Sequence, residues 1–333
     1  MPQDGDRDPW GPELSREIAR AGPGRSSSGF YAGAPEPDSV LGRPAEVEPE
    51  EPDEVIAVVP VRRQLSLAIA GFAALLGVGL VLGAQTSGPD ARTPFAIVIF
   101  GVQLLFVLAW TMAMRPPAAA TVAGVCVVAG LVADYTAVTS ASVHLLPLLF
   151  VAFGGFALAL GGQLIRAEDR LLVRDSLGAT VLLVLGVVAF ASLIVLTRKP
   201  IGTQAIGVCL TAVAVALVVA RVTDAIFAKP RIATQVPRGA TGIILGAMLG
   251  TLGAAGLGSV LVLPFTPAKG AILGLVAAGL AGLIDLAVNY AEAGRSMAGD
   301  APTFWLARHM QGPLGAFALA APIAYALTVF FLS

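Results

Sequence analysis

Residues 177–197 read LGATVLLVLGVVAFASLIVLT, twenty-one positions without one charge. As a helix rising about 1.5 Å per residue, this run matches the ~30 Å hydrocarbon layer of a bilayer. Lipid offers no hydrogen bonds to a backbone, so a single segment crosses it only as a helix. Eight further windows share this character, near 64–84, 94–114, 118–135, 142–164, 204–227, 240–262, 269–291 and 313–332. Ser87-Gly88-Pro89, Arg115-Pro116-Pro117, Lys199-Pro200 and Leu263-Pro264 punctuate them as helix breakers. Heptads, strand-like alternation and internal repeats are absent. The pattern predicts an all-α polytopic membrane protein of about nine transmembrane helices over residues 61–333.

The composition agrees. Of 333 residues, 56% are hydrophobic and 13% charged, and mean hydropathy is +0.82. A soluble globular domain carries about a quarter charged residues. Cys126 and Cys209 lie inside apolar runs, and two such cysteines define neither a disulfide frame nor a metal site. They read as small packing residues.

The formal net charge of −1 conceals a division. Residues 1–55 hold 13 acidic and 5 basic residues, and the remainder holds 9 acidic and 16 basic. Residues 1–60 are rich in Pro, Gly, Ser, Asp and Glu, and 46–54 read EVEPEEPDE. Such a segment buries too little apolar surface to offset its ordering entropy, so a disordered acidic tail is expected. No apolar stretch follows the start closely enough for a signal peptide. Within the tail, Trp10 to Ala21 could form a short amphipathic contact with a partner. The tail is too acidic to be drawn to an anionic lipid surface.

Orientation follows from Lys and Arg in the short loops. One side collects Arg62, Arg63, Arg115, Arg166, Arg170, Arg174, Lys229, Arg231, Arg238, Arg295 and Arg308. The other collects only Arg92, Arg198, Lys199 and Lys269. The bias places the N-terminus in the cytoplasm and, with nine spans, Ser333 outside. High Ala, Gly, Val and Arg content with only three Lys suggests a GC-rich bacterium, hence the bacterial plasma membrane.

Small residues mark packing faces. Gly242, Gly246 and Gly250 recur at four-residue spacing in the seventh span, and Gly274, Ala278 and Gly282 share a face of the eighth. Such faces let helices approach closely. Packing inside the bundle is the plainer reading, and a seam with a second copy or a membrane partner is the other. Gly154-Gly155 and Gly161-Gly162 also read as packing.

Ionisable residues inside spans point most directly to function. Arg221 and Asp224, three apart, share a helix face and could form a local ion pair. Asp285 follows Gly282 on the small-residue face, where a carboxylate requires a cation, a metal or a proton. Asp134, beside Tyr135 at the end of the third span, is expected at the interface. His144 and His309 read as hydrogen-bonded structural residues. Phosphate-binding, serine-hydrolase and zinc motifs are absent. Scattered basic residues without interleaved aromatics give nucleic-acid binding no support.

From Arg221 onward the order of features resembles the C-terminal half of bacterial phosphatidate cytidylyltransferase (CDP-diacylglycerol synthase). That family has a helix ending in Asp before a basic loop, matched by Asp224-Ala-Ile-Phe227 with Lys229, Pro230 and Arg231. Its Ser-Pro-Lys-Lys-Thr-x-Glu-Gly segment is matched by Gln235-Val-Pro-Arg238-Gly-Ala-Thr-Gly242. Its Gly-Asp-x-x-Glu-Ser helix is matched by Ile284-Asp285-Leu-Ala-Val288-Asn289, and its last helix by Leu319-Ala-Ala-Pro322-Ile-Ala-Tyr325. The resemblance covers about residues 221–332 and implies a polytopic enzyme that makes CDP-diacylglycerol from CTP and phosphatidic acid.

The departures fall where that chemistry would lie. The family's two signature aspartates fall on Gly312 and Gly315, and the Arg between them on Pro313. A Lys-Arg pair falls on Glu292 and Ala293, and tandem lysines reduce to Arg238. Nucleotidyl transfer needs divalent metal on carboxylate and phosphate oxygens. Asp224 and Asp285 are a thin supply, and such losses cost several powers of ten in rate.

The leading reading is a degenerate member of that family, a membrane scaffold or accessory subunit whose tail recruits a cytoplasmic protein. It requires no cofactor. A divergent active cytidylyltransferase would need magnesium on Asp224 and Asp285, with Arg221 and Arg238 in the retained polar site. A transporter of lipid or small molecules is the third reading, disfavoured by a midplane of Ala, Gly, Val and Leu.

Overall fold

The computed structural model describes residues 59–87, 92–164, 170–300 and 303–332. The chain divides into units 1–54 and 55–333, and all the described residues belong to the second. The expected tail lies outside the described residues except for Val59 and Pro60. Those two close the tail earlier than expected. The Val59 N–H donates to the Thr234 carbonyl at 3.2 Å, and Arg231 Nη1 donates to the Val59 carbonyl at 2.6 Å.

Among the described residues the chain forms nine helices. They are α1 Arg63–Gln85, α2 Thr93–Met114, α3 Ala119–Thr139, α4 Leu146–Leu164 and α5 Arg170–Thr197. After them come α6 Gly202–Ile226, α7 Ala240–Val260, α8 Pro267–Met297 and α9 Trp305–Phe331. Eight are long and apolar enough to cross a membrane, and α4 is a shorter apolar helix. This is the architecture of a multi-pass membrane protein. Every helix expected from hydropathy is present.

The differences lie at the ends. Helix α9 starts at Trp305 rather than near 313, because its first two turns carry Arg308, His309 and Gln311, which a hydropathy window discards. Helix α8 has 31 residues, so at about 1.5 Å each it outruns the hydrocarbon layer, and its polar last turns project beyond it. Between α6 and α7 the expected basic loop is instead an antiparallel hairpin, β1 Arg231–Ala233 with β2 Val236–Gly239. Strands this short leave no alternation to read.

Hydrogen bonds and ion pairs group the described loops at two ends. At the distal end Arg198 donates to the carbonyls of Ala137, Ser140 and Ser142, and Arg92 to that of Val138. Two arginines thus serve the unpaired carbonyls at the end of α3. Lys199 lies over the Tyr325 ring, whose hydroxyl donates to the Val143 carbonyl. The proximal end gathers the start of α1, the hairpin, and the ends of α2, α6 and α8. This is the grouping of loops that the charge count implied.

The core lies on α5 and α6. Of their most apolar windows, 72% and 61% of residues are buried, against 22% for α7. Helix α7 shows Ile244, Met248 and Leu252 outward, the face a lipid-exposed helix presents. Its other face carries Gly242, Gly246, Gly250, Ala254 and Gly258, all buried. A Cβ at Gly246 would collide with the Ala216 carbonyl, and one at Gly250 would stand 2.6 Å from the Ala212 carbonyl. The glycine stripe is therefore consumed against α6, and a seam between copies through Gly242, Gly246 and Gly250 has no free surface there. Gly274 likewise meets Ala254, joining α8 to α7. Gly155 packs on Val184 while Gly154 faces open space, so only part of the double-glycine reading holds. Cys126 and Cys209 are free and buried, as packing residues would be.

Three buried threonine hydroxyls are satisfied within their own helices. Thr111, Thr180 and Thr328 each donate to the carbonyl four residues earlier. Gly246→Val should separate α6 from α7 and cost about 1–3 kcal/mol, the usual penalty of overpacking. Gly253→Val, where a side chain meets open space, should leave the thermal midpoint in detergent unchanged.

Candidate functional site

Four charged side chains meet near the proximal end, from two helices and the hairpin. Arg221 and Asp224 lie on the last turns of α6, Arg238 at the end of β2, and Asp285 on α8. Arg221 Nη2 donates to Asp285 Oδ1 at 2.5 Å. Arg238 Nη1 lies 2.7 Å from Asp224 Oδ2, and Arg238 Nη2 lies 2.7 Å from Asp285 Oδ2. The Gly239 N–H donates to Asp224 Oδ1 at 2.9 Å. All four oxygens of the two carboxylates are thus in contact with a donor group.

The cluster is sealed. Asp285 and Arg238 have no exposed surface, and Arg221 and Asp224 are nearly as buried. Two guanidinium and two carboxylate groups sum to zero, the condition under which charge tolerates a low dielectric. The contacts are unequal in kind. Arg221 is aligned on Asp285 as a hydrogen bond, whereas the Arg238 contacts are close charge pairs with N–H groups turned off axis.

Local backbone explains the placement. Gly239 ends the hairpin and precedes the first residue of α7, so Asp224 faces the amino end of that helix, where a carboxylate is favoured. Gly242, one turn on, makes room for it, since a Cβ there would lie 2.7 Å from Asp224 Oδ1. The Thr241 hydroxyl donates to the Lys229 carbonyl and closes the loop.

All four expected site residues converge here, but their pairing differs from expectation. Arg221 does not pair with Asp224 three residues on; its partner is Asp285, 64 positions away. Neighbours on one turn are a weaker solution than a partner on a facing helix that can be fully enclosed. Asp134 is also corrected. It is buried rather than interfacial, and its Oδ1 accepts from Gln103 Nε2 at 2.8 Å. Gln103 also donates to the Val187 carbonyl, with Gly130 making room for it. Gln103 escaped sequence reading because an uncharged amide in an apolar run barely changes hydropathy. His309 bonds the Trp305 carbonyl one turn back, a structural role as expected.

Gly312 gives the site its other wall. A Cβ at Gly312 would collide with Asp285 Oδ1, so α9 has no space there for a side chain. A Cβ at Gly315 would face Ile284 and Trp110. Among the described residues no three His, Cys, Asp or Glu side chains stand together as metal ligands.

No protein-family model matches the chain, and no curated protein or solved structure is significantly similar to it.

Arg238 touches both carboxylates, so its loss leaves Arg221 alone against Asp224 and Asp285, with one buried negative charge uncompensated. Arg238→Ala should destabilise the bundle by about 3–5 kcal/mol, as breaking a buried pair does. Replacing Arg221 and Asp285 together by Met and Leu should cost less than either single change. A double-mutant cycle on the thermal midpoint measures both.

Proposed function

We propose that the chain is a degenerate relative of the phosphatidate cytidylyltransferase family, a membrane scaffold or accessory subunit that keeps the bundle without the nucleotidyl-transfer centre. Its place is the bacterial plasma membrane, with the proximal end in the cytoplasm. Support comes first from convergence. Asp224, Arg238 and Asp285 resemble family motifs, Gly312 stands where a signature aspartate is replaced, and these positions, spread over about ninety residues, meet in one contact cluster.

The observation that carries the loss of activity is the use of the carboxylate oxygens. Magnesium requires carboxylate, phosphate or water oxygens in near-octahedral array. Here Arg221 and the Gly239 N–H hydrogen-bond one oxygen of each carboxylate, and the Arg238 guanidinium stands 2.7 Å from the other oxygen of each as a charge pair. The residues present do not fit the metal. Two fixed guanidinium groups stand where mobile divalent charge would have to enter, and the α9 backbone at Gly312 lies close against Asp285. The neutral cluster then works as a clamp joining α6, the hairpin, α8 and α9. The acidic residues 1–54 recruit a cytoplasmic protein.

The purified chain, given CTP, phosphatidic acid and magnesium, should form no CDP-diacylglycerol, and manganese should show no tight site by electron paramagnetic resonance. Turnover that Asp285→Ala abolishes would overturn the degenerate reading. Removing residues 1–54 should reduce cross-linking to cytoplasmic protein while the thermal midpoint of the bundle holds.

A further inference from the structure

A second polar feature shares no residue with the ion cluster. At the proximal end a cavity of about 330 Å³ opens between the end of α2, the last turns of α8 and the start of α9. Its polar lining includes Arg115, Glu292, Arg295, Asp300, Thr303 and Arg308. Glu292 holds two of the arginines: Arg295 Nη2 donates to Oε2 at 2.8 Å, and Arg308 contacts Oε1. Arg295 is further fixed by donating to the Ala113 carbonyl of α2. Among the described residues Arg115 has no ion-pair partner, and the buried Thr303 Oγ1 and Arg308 Nε have no hydrogen-bond partner.

These leftovers specify a ligand. The orphan groups at this cavity, a hydroxyl and guanidinium N–H groups, call for an acceptor. Three guanidinium groups against the carboxylates of Glu292 and Asp300 leave one positive charge, which a monoanion balances. Met297, Phe304 and Trp305, within two residues in sequence of the lining residues Ser296 and Thr303, present large exposed apolar surfaces, and Met114 lines the cavity. An aromatic residue beside charge at the end of a membrane span is the signature of the lipid–water boundary. Basic pockets between spans on the positively charged side suit anionic head groups.

We propose that this cavity binds the phosphodiester head group of an anionic phospholipid, of the phosphatidylglycerol class. Arg115, Thr303 and Arg308 ligate the phosphate oxygens, while Glu292 holds Arg295 and Arg308 in place. The acyl chains lie along the apolar surface beside Trp305. The assignment does not depend on the cytidylyltransferase reading, because it rests on a different set of residues and on a diester rather than a nucleotide.

The test is native mass spectrometry of the full chain in detergent, titrated with phosphatidylglycerol, phosphatidylcholine and inorganic phosphate, with thermal midpoint as a second reading. Phosphatidylglycerol should bind in preference to phosphatidylcholine and raise the midpoint. Arg115→Gln and Thr303→Val should each lower its retention about fivefold or more, with Arg115→Lys between. Both sites are at helix ends or in the loop, so lipid-free midpoints should match the parent chain. Equal retention by Arg115→Gln, or no preference over phosphatidylcholine, overturns the proposal. Displacement by millimolar inorganic phosphate reassigns the cavity to a soluble anion and overturns the lipid assignment.

Discussion

The pairing of Arg221 and Arg238 with Asp224 and Asp285 ties the proximal half of the bundle together. Between apolar helices in lipid there is little hydrophobic drive to associate, so packing and polar contacts must hold them. A neutral four-residue cluster meets that need. It fixes the rotation of α6 and α8 about their axes, since each must point its charged residue at the other. It also fixes the hairpin, because Arg238 reaches both carboxylates only from the end of β2.

The glycines and the charges form one device. Gly242 leaves room for Asp224, and Gly312 for Asp285. Gly246 and Gly250 bring α7 onto the α6 backbone and so hold the hairpin exit where Arg238 is needed. A bulkier residue at any of these positions would displace a helix and open the cluster to an unpaired charge. In the reading proposed above, the same closeness that stabilises the bundle keeps out a metal or a triphosphate. Under the proposed reading, structural closure and catalytic loss are a single event.

The two ends of the bundle use cations differently. Distally, Arg92 and Arg198 end on backbone carbonyls and Lys199 on an aromatic face, so their work is capping. Proximally, Arg221 and Arg238 are consumed in the cluster, while Arg295 and Arg308 are only half-consumed by Glu292. The cavity between α8 and α9 therefore keeps unpaired donors within one enclosed space. A surface that leaves donors unpaired beside exposed Trp305 is arranged for an anion at the lipid boundary.

Hydropathy alone determined the helical class, the number of helices and the grouping of their loops. The reason is that lipid forbids unpaired backbone and apolar length is a local property. The same rule located Arg221, Asp224 and Asp285 as exceptions, because charge inside an apolar run is conspicuous in one dimension. Arg238, in the loop before the seventh span, is singled out only by the family resemblance. Partner choice was decided only in three dimensions. Arg221 ignores Asp224 on its own helix and takes Asp285, and Asp134 finds Gln103 on another helix, so neither ends where its position in the chain suggested. The hairpin was illegible for a different reason: its short strands pair through backbone groups that every sequence shares. Sequence spacing could show that Gly242, Gly246 and Gly250 form a face. Only packing could show that α6 already fills it, since one helix contains no information about its neighbour.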